Sequence, residues 1–127
     1  MVNNNMKILV VDDSATMRRI VSNVLSMLGF ANITTAINGK EALQALGSDD
    51  FDLVVSDWKM EPINGLDLLK KIRGDKKMKE LPFIMLSAES DKRCIMETIN
   101  NGVSEYIVKP FSKETLKGKI QNIFGSF

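Results

Sequence analysis

The chain has 127 residues, 44% hydrophobic and 26% charged, enough for one cored domain and too few for such a domain plus an output module. Seventeen Lys and Arg against 16 Asp and Glu leave a net charge of +1, which excludes the basic surface of a dedicated nucleic-acid binder. No apolar stretch reaches membrane-spanning length and Met1–Asn5 lacks a signal-peptide core, so membrane insertion and secretion are not expected.

Residues 1–5 read as a flexible tail, and the rest, to 127, as a single domain. A first strand near 6–11 ends abruptly in Asp12-Asp13. Met17, Ile20, Val21, Val24, Leu25 and Leu28 then recur at helical spacing, with Ser14 as N-cap and Gly29 just past the end. A more polar strand near 33–37 reads as an edge, followed by a helix near 39–46 capped by Asn38. The third strand, near 53–57, ends in Asp57, and Asn64 caps a helix near 65–73. A fourth strand near 82–87 ends in Ser87, and Asp91 opens a helix near 92–100. The fifth strand, near 105–108, runs into Lys109-Pro110, and Leu116, Ile120, Ile123 and Phe124 mark a last helix. All strands but the second are mostly continuous apolar runs, as strands covered on both faces should be.

Five βα units in series predict an α/β fold: a doubly wound parallel sheet with right-handed crossovers and helices on both faces. Ligands in such sheets bind beyond the carboxyl ends of the strands. Asp12, Asp13, Asp57, Ser87 and Lys109 all fall there, gathering three carboxylates and one ammonium in a crevice that can hold a hard divalent cation with a phosphoryl group. Singly, each residue has a plainer reading. Asp12-Asp13-Ser14 suits a helix start, where carboxylates meet the positive dipole end. Asp57 suits a turn, Ser87 a strand-end hydroxyl and Lys109 a solvated surface. It is their joint placement that points to a phosphoryl site. The chain has no histidine, which removes His-based triads, His-ligated zinc and a phosphohistidine of its own. Its one cysteine, Cys94, excludes an internal disulfide and fits a reducing cytoplasm.

Val10-Val11-Asp12-Asp13-Ser14, Asp57-Trp58-Lys59-Met60, Asn64-Gly65, Ser87-Ala88, Tyr106 and Lys109-Pro110-Phe111 together resemble a response-regulator receiver domain, over about Lys7 to Phe124. The resemblance extends to the single-domain chemotaxis regulators of that family. It implies a flavodoxin-like (βα)5 sheet in order 2-1-3-4-5 and a cytoplasmic protein. Asp57 would be the phosphoacceptor, taking a phosphoryl group from a histidine kinase with Lys109 and Ser87 contacting its oxygens. Mg²⁺ would be held by Asp13, Asp57 and the Lys59 backbone carbonyl, with Asp12 acting through water. A cis Lys109-Pro110 bond is implied as well.

Ser87 and Tyr106 resemble the coupling pair of such domains, and Ile95, Tyr106, Val108 and Lys119 match positions that chemotaxis regulators present to a flagellar switch protein. Ser90 and Asn122 depart from that docking pattern. So does Met60-Glu61-Pro62, where the proline stands one place later than usual; a different loop path and a solvated Glu61 near the ion are expected. Lys59 and Glu89 are expected to pair across the mouth and tune the rate at which phosphate is lost. Cys94 reads as a reduced thiol and the eight methionines mainly as core filler.

The expected function is a phosphorylation-activated regulator without an output domain, docking to the flagellar motor switch or another partner and served in some systems by a phosphatase. It would perform no catalysis beyond its own phosphoryl transfer and autodephosphorylation. A phosphate sink or relay intermediate is the alternative within the class, and a phosphorylation-independent scaffold the one outside it. An FMN carrier fits poorly, because Asp12-Asp13 repels phosphate in the absence of metal. An aspartyl phosphatase would place a second acid where Lys59 stands.

Overall fold

Side chains along each central strand point alternately to two faces, and this alternation builds two cores. The computed structural model describes residues 2–127. Its elements are β1 (Lys7–Val11), α1 (Ala15–Met27), β2 (Asn32–Ala36), α2 (Gly39–Ser48) and β3 (Leu53–Ser56), followed by α3 (Gly65–Arg73), β4 (Phe83–Ser87), α4 (Lys92–Asn100), β5 (Glu105–Val108) and α5 (Lys113–Phe124). All strand pairs are parallel, in the order β2-β1-β3-β4-β5. The flavodoxin-like arrangement expected from the sequence is therefore the one observed.

On one face Ile8, Val10, Leu53, Val55, Ile84 and Leu86 pack against Val21 and Leu25 of α1 and Leu116 and Ile120 of α5. On the other, Leu9, Val11, Val54, Phe83 and Met85 meet Ala42 and Leu46 of α2 and Leu68, Leu69 and Ile72 of α3. Fully burying one such aliphatic side chain contributes about 1.5–3 kcal/mol, so the central strands form the rigid base on which the loops stand.

The first four helices begin at the caps that the sequence marks, and α5 begins at Ser112. The side chains of Ser14, Asn38, Asn64, Asp91 and Ser112 accept backbone N–H groups from Met17, Glu41, Asp67, Arg93 and Thr115. The Glu41 carboxylate also reaches back to the Ile37 N–H at 3.2 Å. Such a cap is worth about 1 kcal/mol and fixes where each loop hands over to its helix.

One expectation needs correction. β5, expected to be covered on both faces, has only Ile107 buried, because it is the second edge of the sheet and α4 covers it sparingly. Met1 lies outside the described residues, and the rest of the N-terminal segment makes hydrogen bonds with its surroundings. The Val2 N–H donates to the Ser126 carbonyl at 3.0 Å, the Met6 N–H to that of Asn3 at 3.0 Å, and the Asn32 side chain to that of Asn5 at 3.0 Å.

Candidate functional site

Because β1 and β3 are neighbours in register Val11↔Ser56, the residues that follow them come out side by side. The Asp57 N–H donates to the Val11 carbonyl at 2.9 Å, and the Asp12 N–H to that of Ala36 at 3.1 Å. The ladder thereby holds both carboxylate-bearing residues just beyond the last strand position. Asp12, Asp13 and Asp57 each offer a carboxylate oxygen within 4.8 Å of the others. Three hard oxygen donors so close together suit a divalent cation and repel one another without a positive charge.

Lys109 supplies one such charge. Its Nζ lies 3.0 Å from Asp12 Oδ2 and 3.6 Å from Asp57 Oδ1. The Lys109 N–H donates to the Ser87 carbonyl at 2.8 Å, so β4 fixes the start of the loop that carries the ammonium. The Lys109-Pro110 bond is cis, as implied. Asp12 has both carboxylate oxygens engaged, Oδ2 by Lys109 and Oδ1 by the Ser14 N–H at 2.9 Å, whereas Asp13 is exposed. Asp12 thus stands as the inner anchor of the cluster and Asp13 as its open side.

The Asp57 carboxyl lies above its ordinary pKa, chiefly because burial strips it of water. The charges of Asp12 and Asp13 push the same way; Lys109 and the Trp58 N–H oppose them. A group in this condition gains from any cation that relieves its neighbours' charge.

Two clefts open at this edge of the sheet. One, of about 140 Å³, is lined by Asp57, Lys59, Ser87, Ala88, Glu89 and Lys109. The other, of about 520 Å³, is lined by Asp13, Trp58, Lys59, Met60, Glu61 and Asn64. Lys59 belongs to both walls. Its ammonium approaches Glu89 Oε2 at 3.9 Å, the contact expected from the sequence, but its side chain is 81% exposed and the pair is correspondingly weak. Glu61 is exposed, as expected. The loop that carries it has a cis Glu61-Pro62 bond, and Ile63 follows at φ 63°. That left-handed conformation is unusual for a β-branched residue. The Ile63 carbonyl accepts the Gly39 N–H at 3.0 Å, which holds the loop against the start of α2.

Ser87 is buried, and its Oγ accepts the Glu89 N–H at 3.1 Å. The Tyr106 hydroxyl donates to the Glu89 carbonyl at 2.7 Å, and burial raises the pKa of that phenol. Ile95, Tyr106, Val108 and Lys119 lie away from the acidic cluster, on α4, β5 and α5. Met96, Ile99 and Val108 leave 48%, 49% and 39% of their surfaces open there. Lys119 is held by Glu105 at 3.4 Å, and Asn122 donates to the same Glu105 oxygen at 3.1 Å.

Sequence reasoning missed one participant and, for another, its main-chain role. Arg18 donates from its guanidinium to the Asp12 carbonyl at 2.8 Å, steadying the first acidic residue from one turn into α1. Glu89 connects Ser87 to Tyr106 through its main chain, a role that its side-chain type does not reveal.

Comparison with known proteins gives a consistent picture. Residues 8–121 match the model of the response regulator receiver domain. The chemotaxis protein CheY-3 of Vibrio cholerae is 52% identical over 122 residues, covering 96% of this chain and 94% of that protein. The crystal structure of Vibrio cholerae CheY4 at low pH superposes with a TM-score of 0.86 at 34% identity, covering 94% of this chain and 98% of the other. The CheY chain in the CheX-CheY-BeF3-Mg complex from Borrelia burgdorferi gives 0.87 at 26% identity, covering 94% and 89%.

Proposed function

As the chain belongs to the response regulator receiver family and is a chemotaxis response regulator by its likeness to the CheY proteins, we propose that it is switched by phosphorylation of Asp57 and signals by docking. The observation that carries this reading is the convergence of Asp12, Asp13 and Asp57 within 4.8 Å beside the Lys109 ammonium. Asp57 attacks the phosphorus of a phosphohistidine on a partner kinase, forming an acyl phosphate as the P–N bond breaks. The transition state is loose and in line, so the chain's task is to position groups and neutralise charge.

Lys109 offers its ammonium to the phosphoryl oxygens, and the Ser87 hydroxyl, whose oxygen accepts the Glu89 N–H, turns its proton to them. The donor set suits Mg²⁺: Asp13 and Asp57 would hold it directly, Asp12 through water, and Lys59 through its carbonyl. Bound there, the ion supplies positive charge to the three carboxylates and the incoming phosphoryl oxygens.

The rearranged Ser87 region is passed through Glu89 to Tyr106 and so to the face bearing Ile95, Val108 and Lys119. That face receives the docking partner, which for a chemotaxis regulator is the flagellar switch. The chemistry is confined to the chain's own phosphoryl transfer and hydrolysis. No helix among the described residues is long and apolar enough to cross a membrane, which suits work in the cytoplasm.

Trp58, the sole tryptophan, lines the cleft that contains Asp13 and reports on the site. Its fluorescence is expected to change saturably with Mg²⁺, and further with beryllium fluoride as a phosphoryl mimic, with the second change absent in Asp57→Ala. A folded wild type that ignores both additions would overturn the reading in favour of a phosphorylation-independent scaffold.

A further inference from the structure

Residues 36–39, where β2 passes into α2, carry no carboxylate of the acidic cluster, yet they hold main chain on both of its sides. The Asp12 N–H donates to the Ala36 carbonyl at 3.1 Å, and the Gly39 N–H donates to the Ile63 carbonyl at 3.0 Å. The first contact fixes the strand end that bears Asp12 and Asp13. The second fixes the loop between β3 and α3, whose Lys59, Met60 and Glu61 line one cleft together with Asp13. The span itself is firm, because Asn38 accepts the Glu41 N–H at 2.8 Å while the Glu41 carboxylate accepts the Ile37 N–H at 3.2 Å.

The contact at Gly39 leaves no room for a side chain. A Cβ there would stand 2.4 Å from the Ile63 carbonyl oxygen and 2.6 Å from Ile63 Cγ2. Ile63 itself stands at φ 63°, a left-handed conformation that a β-branched residue keeps only where its surroundings impose it. Its side chain packs against the core that α2 and α3 cover, which helps to hold it there. Further along, the Gly65 N–H donates to the Trp58 carbonyl at 2.8 Å and closes the loop on itself. The wall that shares its cleft with Asp13 is therefore strained and pinned at two places.

We infer, resting on the reading of the acidic cluster as a cation site, that Gly39 and Ile63 are positioning residues that bias this site toward Mg²⁺ and against the larger Ca²⁺. Mg²⁺ demands near-octahedral oxygen donors at about 2.0–2.1 Å, while Ca²⁺ tolerates looser and more numerous donors at about 2.3–2.6 Å. A bias toward the smaller ion thus requires donors that cannot retreat. The Asp12 side and the Lys59 side of the site hang from one short, firm span, so their separation is set before an ion arrives. Gly39 and Ile63 act without touching the ion, as the groups that orient ligands from behind do in metal sites generally.

Trp58 fluorescence of the full chain, titrated with Mg²⁺ and separately with Ca²⁺, gives two dissociation constants, and urea unfolding without metal gives the stability. Gly39→Ala drives its Cβ into the Ile63 carbonyl and should weaken Mg²⁺ binding by about tenfold, while Ca²⁺ binding changes by less than about threefold. Ile63→Gly relieves the strain and lets the loop leave its pin, and should move the ratio of the two constants the same way by about threefold. It keeps the test decisive should Gly39→Ala fail to fold. A purely structural role would lower the urea midpoint and leave the constants of the folded protein in their wild-type ratio, and that result overturns the proposal. Equal losses for both ions overturn it too, as do variants that bind both as wild type does. In each of these cases the cation reading stands. A wild type that responds to neither ion overturns that reading and the proposal with it.

Discussion

The Tyr106 hydroxyl donates a 2.7 Å hydrogen bond to the carbonyl of Glu89, whose own N–H donates to Ser87 Oγ. One residue's two main-chain groups therefore span the distance from the cleft over Asp57 to the exposed face of β5. On the proposed reading, a movement of the Ser87 hydroxyl toward a phosphoryl group would change what the Glu89 N–H can bind, and the Glu89 peptide would carry that change to the phenol. Coupling of this sort must act both ways, so a partner seated near Tyr106 also alters the Ser87 side.

Tyr106→Phe removes the hydrogen bond and keeps the ring. A neutral hydrogen bond contributes about 0.5–1.5 kcal/mol, so partner docking to the beryllofluoride form should weaken by about two- to tenfold. Mg²⁺ affinity, read from Trp58 fluorescence, should change by less than about twofold, because the phenol's hydrogen bond goes to the Glu89 carbonyl and not to a carboxylate of the acidic cluster. Equal losses in both measurements would contradict the coupling route.

Gly65→Ala should be severe. A Cβ there would stand 2.1 Å from the Asp57 carbonyl and 3.0 Å from Met85 Sδ, so the first turn of α3 must retreat from Asp57. Overpacking of this kind costs about 1–3 kcal/mol, measurable as a lower urea midpoint, and Mg²⁺ binding should weaken with it. Gly118→Ala provides the contrast. Nothing lies within 4 Å of its added carbon, and α5 should gain up to about 1 kcal/mol from a better helix former.

The raised pKa of Asp57 predicts the pH dependence of the metal-free protein. A carboxyl that holds its proton more tightly when folded contributes stability that is complete below its unfolded pKa. That contribution is lost as pH rises through the folded value. Asp57→Asn has no such titration. The stability difference between variant and wild type should therefore open as pH climbs out of the ordinary carboxylate range and close again when Mg²⁺ is added. Thermal melts of both proteins across that range, with and without the ion, provide the check.

Lys109→Ala should separate two functions of one ammonium. Without it, the Asp12 and Asp57 carboxylates lose their contacts at 3.0 and 3.6 Å, and the metal-free fold should lose about 1–3 kcal/mol. Mg²⁺, relieved of a competing charge, should bind at least as tightly as to wild type. Retention of beryllium fluoride should nevertheless fall by about tenfold or more, the loss of one charge-assisted contact. Weakened Mg²⁺ binding in a folded variant would contradict the assignment.

Lys59 and Glu89 meet at 3.9 Å across the mouth of the cleft, with Lys59 largely in solvent. Breaking the pair should leave the urea midpoint unchanged, as exposed pairs contribute little. Both Lys59→Ala and Glu89→Ala should nonetheless speed loss of the phosphoryl group by a few fold, because water then reaches Asp57 past a lower rim. Phosphate release rates unaltered in both would show that the two side chains act independently of hydrolysis.

Much of this was legible in the chain because local chemistry punctuates it. Side-chain caps at Ser14, Asn38, Asn64 and Asp91 mark four helix starts, and Asp12, Asp57, Ser87 and Lys109 each close an apolar run. Parallel pairing then brings those strand ends together, so order along the chain translates into proximity. What stayed hidden depends on main-chain groups or on contacts between distant segments. Nothing in the identity of Glu89 signals that its carbonyl holds Tyr106, 17 positions away. Ile63 reads as an ordinary apolar residue, yet it adopts φ 63° with its carbonyl on Gly39. The exposure of β5 could not be read from its composition, because an edge strand is defined by the neighbour it lacks.

Lys59 is the partition between two clefts, one opening on Asp13 and the other on Asp57 and Lys109. On the proposed assignment the ion sits between them, reached by Asp13 from one side and by Asp57 from the other. A chelator could then strip the ion from the charged protein while the acyl phosphate stays in place, leaving a signal that is stored but cannot be hydrolysed with the ion's help. The lifetime of the active state would follow free Mg²⁺ at every moment after phosphorylation, as well as during it.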